Sequence, residues 1–233
     1  LFQVVEKITM VASVRIEVSD TLYLRDPQDT ELGRKLISAS ILLIDKLGIE
    51  QFTFKKLAKD IGSTEASMYR YFESKHMLLT YLLSWYWSWL DYKIDYLTHN
   101  VDDPRKRLQL AMQVLTDSVK DDPATTHIDE EALFRIMIVE SAKAYFTKQV
   151  NPKDREALFV GYGALNKKIA DIIRGYRPKY RYPKALVNTM VLVVQRQSFF
   201  AEHVPAVTEL RVRSGNMREI AKYLEHLVFA VLD

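Results

Sequence analysis

Turn-forming residues are scarce in this chain, and they stand where helices would begin and end. Seven glycines and seven prolines among 233 residues are about 3% each, below the usual ~7% and ~5%. The tracts between them carry apolar residues three and four apart, the period of a helix with one buried face. Asp103-Pro104, Asn151-Pro152 and Pro183 place proline in a first turn, where its missing N–H costs nothing. Gly48 closes one tract and Gly215-Asn216 precedes another. The spacing predicts helices over Glu31 to Gly48, Thr53 to Ile61, Thr64 to Phe72, Ser74 to His99, Pro104 to Asp121, Asp129 to Lys148, Pro152 to Gly175, Pro183 to Val204 and Asn216 to Leu232. Residues 14–29 instead alternate Val14, Ile16 and Val18 with charged neighbours, which predicts an extended arm or a short strand. The expected fold is all-α: residues 1–30 an arm, 31–76 a three-helix helix-turn-helix unit, and 77–233 a larger helical bundle.

Composition closes off several functions. There is no cysteine, so disulfides, thiolate metal sites and thiol nucleophiles are excluded, and a reducing, cytoplasmic setting is expected. The longest uncharged run, Met77 to Leu90, has 14 residues, short of the ~18–20 a bilayer needs. Glu6 and Lys7 interrupt the apolar residues near the start, so no secretory signal is expected. Lys and Arg total 33 against 30 Asp and Glu, a net charge of +3. An anionic partner must therefore be met by a local patch rather than by bulk charge. The five histidines, at 76, 99, 127, 203 and 226, have no i,i+4 partner that would form a metal face. No HExxH, phosphate-binding loop or Gly-x-Ser-x-Gly run is present. Neither a metal, a cofactor nor an enzymatic activity is expected.

Residues 53–79, TFKKLAKDIGSTEASMYRYFESKHMLL, concentrate the functional signal. Two short helices joined through Gly62-Ser63 have the layout of a helix-turn-helix. Leu57, Ala58 and Ile61 face Met68 and Phe72, with Ala58 small enough for a close crossing. Ser63 and Thr64 can cap the second helix, which then presents Glu65, Ser67, Tyr69, Arg70 and Tyr71 outward. That face is polar and hydroxyl-rich, as reading base edges and phosphates requires. Between Arg34 and His76 there are eight basic and five acidic residues, a local +3.

The segment resembles the DNA-binding domain of TetR/AcrR-type transcriptional regulators. The resemblance rests on Thr53, Leu57-Ala58, Gly62, Ala66-Ser67, Met68-Tyr69-Arg70-Tyr71-Phe72 and Lys75, and covers roughly residues 31–80. Met68, Tyr71 and Glu65 depart from the residues usual there, Glu65 with the most consequence for operator identity. The resemblance implies a palindromic duplex as partner. Thr53 would cap its helix or bond a phosphate, Lys55 would sit at the backbone or an adjacent base, and Tyr69 and Tyr71 would donate phenols to phosphates. Ser67 would lie mid-face, and Lys75, with His76, would meet a phosphate at the start of the long helix.

It further implies a ligand-binding and dimerising bundle over 77–233. Trp85, Trp89 and Tyr92 recur at helical spacing and suit either ordinary core or the aromatic wall of a small-molecule pocket, with Phe134, Met137 and Tyr162 as further lining. The apolar tracts 185–203 and 217–232 supply two helices per protomer for a homodimer, with Val191, Val194, Leu224, Leu227 and Val228 at the interface. Gly161-Tyr162-Gly163 predicts a close helix crossing or a kink. The basic, tyrosine-rich run 174–184 suits a solvated connector, or less readily a second nucleic-acid patch. The function expected is a ligand-released repressor; the alternative is an architectural or adaptor protein of the same fold without an effector.

Overall fold

The computed structural model describes residues 14–117, 125–146, 152–212 and 215–233, with the backbone alone for 144–146 and 152–158. Nine α-helices lie among them: α1 Glu31–Gln51, α2 Phe54–Asp60, α3 Glu65–Tyr69, α4 Lys75–Thr98, α5 Pro104–Thr116, α6 Glu130–Phe146, α7 Pro152–Tyr176, α8 Pro183–His203 and α9 Arg218–Leu232. The caps are those legible in the sequence. The Thr30, Thr53, Thr64, Ser74 and Asp103 side chains accept from the backbone N–H two or three residues on, each worth about 1 kcal/mol. The segment ending the predicted fifth helix, 118–124, lies outside the described residues.

Two glycines set the geometry of the N-terminal unit. Gly48 breaks α1 with φ 73° and ψ 156°, a backbone that a side chain resists. Gly62, at φ 67°, follows the end of α2. Its N–H donates to Lys59 O and that of Ser63 to Ala58 O at 2.8 Å, the paired bonds that close a helix through a left-handed residue.

Among the described residues of the arm there is no strand. Residues 14–19 have no regular structure, and 3₁₀ turns follow at Asp20–Leu22 and Pro27–Asp29. Ile16, Leu22 and Pro27 are buried, so one face of the segment is anchored while its charged residues stay outside.

α4 is the spine. At 24 residues it spans about 36 Å, and every residue from Leu78 to Leu90 except Ser88 is buried. It packs on α5, α6 and most extensively α7. A Cβ at Gly161 would stand 3.0 Å from Ser88 Oγ and 3.3 Å from Ser84 O, so the predicted close crossing is an α4–α7 contact. At the far end of α4, the 174–184 connector fastens the end of α9. Arg177 donates to the carbonyls of Leu232 and Asp233, while Tyr176 and Arg105 reach the Asp233 carboxylate.

Candidate nucleic-acid interface

The helix-turn-helix is built around side chains that leave the surface entirely. Leu57, Met68 and Phe72 are fully buried, and Ala58 and Ile61 nearly so. With Met68 turned inward, α3 offers its other faces to solvent. Thr64, Glu65, Tyr69 and Arg70 are exposed and Ser67 and Ser63 half-buried. The Thr64 hydroxyl bonds Ser67 Oγ at 2.9 Å, so these two hydroxyls are placed relative to one another before any partner arrives. Tyr69 lies edge-on to Phe54 with centroids 5.0 Å apart, which fixes a phenol that remains 49% exposed. Thr53 is exposed, with its Oγ1 capping α2, and Lys55 beside it is exposed.

Two of the residues assigned to this face by sequence lie elsewhere. Tyr71 is 2% exposed. Its hydroxyl is 2.7 Å from Thr30 Oγ1, and its carbonyl accepts from Leu24 N–H at 2.8 Å. α3 ends at Tyr69, so Tyr71 lies past the helix and its ring turns under the arm instead of outward. Lys75 is also otherwise employed. Its ammonium donates to the carbonyls of Ile49 at 2.9 Å and Glu50 at 3.0 Å, with Phe52 O at 3.4 Å. An ammonium has three donors, and the carbonyls that Gly48 leaves at the end of α1 take them. In this structure Lys75 clamps the α1–α2 junction, where the sequence suggested a phosphate contact.

The residues proposed for a ligand pocket do not converge. Trp85 and Trp89 stack with centroids 6.0 Å apart, both fully buried, but Phe134 meets Tyr86 and Tyr162 meets Trp87. Met137 is buried, Tyr92 is 37% exposed, and the Tyr162 hydroxyl donates to Asn188 Oδ1 at 2.7 Å. A helix buried on all sides sends successive aromatics to different neighbours, which spacing along one chain does not reveal. Nε1 of both Trp85 and Trp89 is among the buried polar atoms that find no partner among the described residues. A cleft of about 290 Å³ opens elsewhere, beside Asp45, Gly48, Arg135, Glu140 and Phe199. A larger one of about 660 Å³ lies between the arm, α1 and His127. Neither is lined by any of the six residues.

The expected dimer residues need a similar correction. Val191, Val194, Leu224 and Val228 are buried within the protomer, and only Leu227 is half-exposed. These side chains join α8 and α9 to the rest of the bundle. The outward apolar residues of the same helices are Leu192, 53% exposed, and Val231, 50% exposed. α8 is apolar on more than one face, and its sequence alone did not say which face looked in.

Comparison with known proteins agrees with this geometry. Residues 36–82 match the model of the bacterial regulatory proteins of the tetR family. The nucleoid occlusion factor SlmA of Mannheimia succiniciproducens is 31% identical over 87 residues, 37% of this chain and 40% of that protein. The chain thus matches about two fifths of the length of such curated relatives. Among solved structures, the fatty acid degradation regulator FadR of Bacillus halodurans superposes with a TM-score of 0.60 at 16% identity, covering 85% of this chain and 96% of that one. AibR in complex with isovaleryl coenzyme A and operator DNA gives 0.59 at 14% identity, covering 83% and 97%. At such identities the structural likeness shows the fold, and the matched segment is the helix-turn-helix itself. Residues 36–82 thus match the helix-turn-helix of the tetR family of bacterial regulatory proteins, and the chain as a whole shares the fold of these solved structures.

Proposed function

We propose that the protein is a homodimeric transcriptional regulator that binds a palindromic duplex through α3 and is released from it, as a repressor, by a small apolar or aromatic ligand. One observation carries the DNA-reading part: α3 buries Met68 completely and leaves Glu65, Tyr69 and Arg70 in solvent around a fixed Thr64–Ser67 hydroxyl pair. Such a face suits base edges and phosphates and is wasted in a core. For the dimer, Leu192 and Val231 supply exposed apolar surface on α8 and α9. For the ligand, the two orphaned indole N–H groups are the support, since a buried donor without an acceptor costs about 1–3 kcal/mol. A ligand oxygen brought between the helices would recover that cost.

A second reading has its own observation. Phe134 and Tyr162 pack on Tyr86 and Trp87 of α4, leaving the stacked Trp85–Trp89 pair to other neighbours, and relatives matching part of the chain are named nucleoid occlusion factors. A DNA-binding architectural or adaptor protein without an effector fits both facts. The two readings part in one experiment. Duplexes retained by the purified protein are selected, and compounds are screened for release while tryptophan emission is followed. All three tryptophans lie on α4, so an effector seated there shifts the emission and binds less tightly when operator is present. Release without change in emission moves the effector away from α4, and tight duplex binding that no compound relieves favours the architectural reading.

A further inference from the structure

Four cations of the N-terminal unit are already engaged with main-chain oxygens. Arg34 donates to Gln28 O, Lys35 to Ile61 O, Lys56 to Gln51 O, and Lys75 to Ile49 O and Glu50 O. Arg25 differs. It is exposed, it has no hydrogen bond or ion pair among the described residues, and its guanidinium carbon stands 5.7 Å from the centre of the Tyr71 ring. Arg70, the residue before Tyr71, is exposed as well.

Arg25 belongs to the arm, outside the family-matched segment 36–82, yet its backbone is fastened to that segment. The Leu24 N–H donates to Tyr71 O at 2.8 Å, and Thr30 Oγ1 meets the Tyr71 hydroxyl. The turn at Pro27–Asp29 sits directly on α1, where a Cβ at Gly33 would come within 2.2 Å of Pro27 O. Arg15 ties the arm back on itself, reaching Asp26 at 2.5 Å and Asp29 at 2.6 Å. Asp26, the acid next to Arg25 in sequence, is therefore occupied by another cation. The result is a free guanidinium on a rigid mount, directly beyond the end of α3.

A guanidinium fits a phosphate with two parallel hydrogen bonds, and one held over an aromatic ring gives up little freedom on binding. We propose that the arm is part of the DNA interface, and that Arg25 grips a backbone phosphate beside the groove that α3 enters. The proposal rests on the duplex-binding reading given above. A phosphate contact carries no sequence information, so Arg25 adds affinity to every duplex equally, while α3 chooses among them.

The test uses the full chain and a duplex of random sequence, with affinity measured across a salt series. Arg25→Ala is expected to weaken binding about tenfold at low salt. It should also reduce the slope of log K against log salt by about 0.9 per protomer. Arg25→Lys should keep the slope and lose part of the affinity, because a point charge replaces the fork. Thermal melting of each variant should stay close to that of the unaltered protein, because Arg25 is exposed and its contact with the Tyr71 ring is a weak one. If the unaltered protein retains no duplex at any salt, the DNA-binding reading fails and this proposal fails with it. If it binds and Arg25→Ala matches it in affinity and slope, the arm proposal alone is overturned. A changed preference among sequences with an unchanged slope would also overturn the phosphate assignment, since Arg25 would then be reading bases.

Discussion

Lys75 and Glu140 hold opposite polarities of the same turn. The Lys75 ammonium donates to the carbonyls of Ile49 and Glu50, at 2.9 and 3.0 Å, and Glu140 Oε1 accepts from the Ile49 N–H at 3.2 Å. The turn exists because Gly48 leaves the helical region with φ 73°. It connects α1 to the helix-turn-helix, and the two residues that grip it come from α4 and α6. Arg135 of α6 reinforces the attachment with hydrogen bonds to both oxygens of Asp45, at 3.1 Å from Nε and 2.8 Å from Nη2. The helix-turn-helix unit is thus tied to the bundle at a short stretch of chain.

This arrangement gives Lys75 a structural consequence. Lys75→Ala leaves the carbonyls at the end of α1 without their donor and should lower stability by about 1–3 kcal/mol. Urea unfolding should show an earlier midpoint with an unchanged slope. An unaltered midpoint would mean that the ammonium is free in solution, which would return it to the phosphate role its sequence position suggests.

Tyr71 and Ser67 should separate cleanly, although they are four residues apart. Tyr71→Phe removes the bond to Thr30 and should cost about 1 kcal/mol of stability, leaving the order of preferred sequences intact. Ser67→Ala and Glu65→Gln should change that order, each by about 1–3 kcal/mol at the base pair concerned. Parallel selections on the variants check this, and an altered preference for Tyr71→Phe alone would contradict it.

Substitutions on α8 and α9 should divide by face. Leu192→Glu and Val231→Glu place charge on exposed apolar surface and should yield folded monomers that lose cooperative operator binding. Val191→Glu and Leu224→Glu bury a charge inside the protomer and should unfold it. Sedimentation together with circular dichroism distinguishes the outcomes. A Leu192→Glu protein that remains dimeric would remove this surface from the interface.

Stability should also depend on His127. Burial, and to a lesser extent the charge of Arg34, lowers its imidazole below the ordinary value of 6.5. The unfolded chain therefore takes up this proton at a higher pH than the folded chain does. Stability should decline as pH falls through the ordinary histidine range and stop declining once the folded value is passed. His127→Gln should flatten that part of the profile, and an unchanged profile would show that the ring is solvated.

The sequence was most legible where chemistry is local. Caps at Thr53, Thr64 and Ser74 and the turn at Gly62 depend on a few neighbouring residues, and they fall where the spacing predicts. The same local logic placed Trp85-Tyr86-Trp87-Ser88-Trp89 in a helix despite its strand-like alternation. What failed depends on partners far along the chain. Tyr71 turns inward to share a hydrogen bond with Thr30, 41 residues away, and Lys75 is claimed by carbonyls 23 to 26 residues back. Val191 lies on a helix apolar on several faces, which does not declare the one already covered, and the single apolar face of α9 that holds Leu224 is spent on its own protomer. The attachment of the arm through Gly33 and Pro27 had a faint signal, a glycine in the first turn of a helix just after a proline turn, but its meaning lies in a backbone approach that only the fold displays.

The central claim, that this chain reads duplex DNA as a two-fold dimer through α3, is tested most directly by selecting bound sequences from a random duplex pool with the purified protein. The account predicts enrichment of inverted repeats whose half-sites lie about 34–36 Å apart along the duplex or a multiple of that, with the enriched bases changing in the Ser67→Ala protein. Recovery of no common sequence, or of sequences that Ser67→Ala and Glu65→Gln leave unchanged, would contradict it.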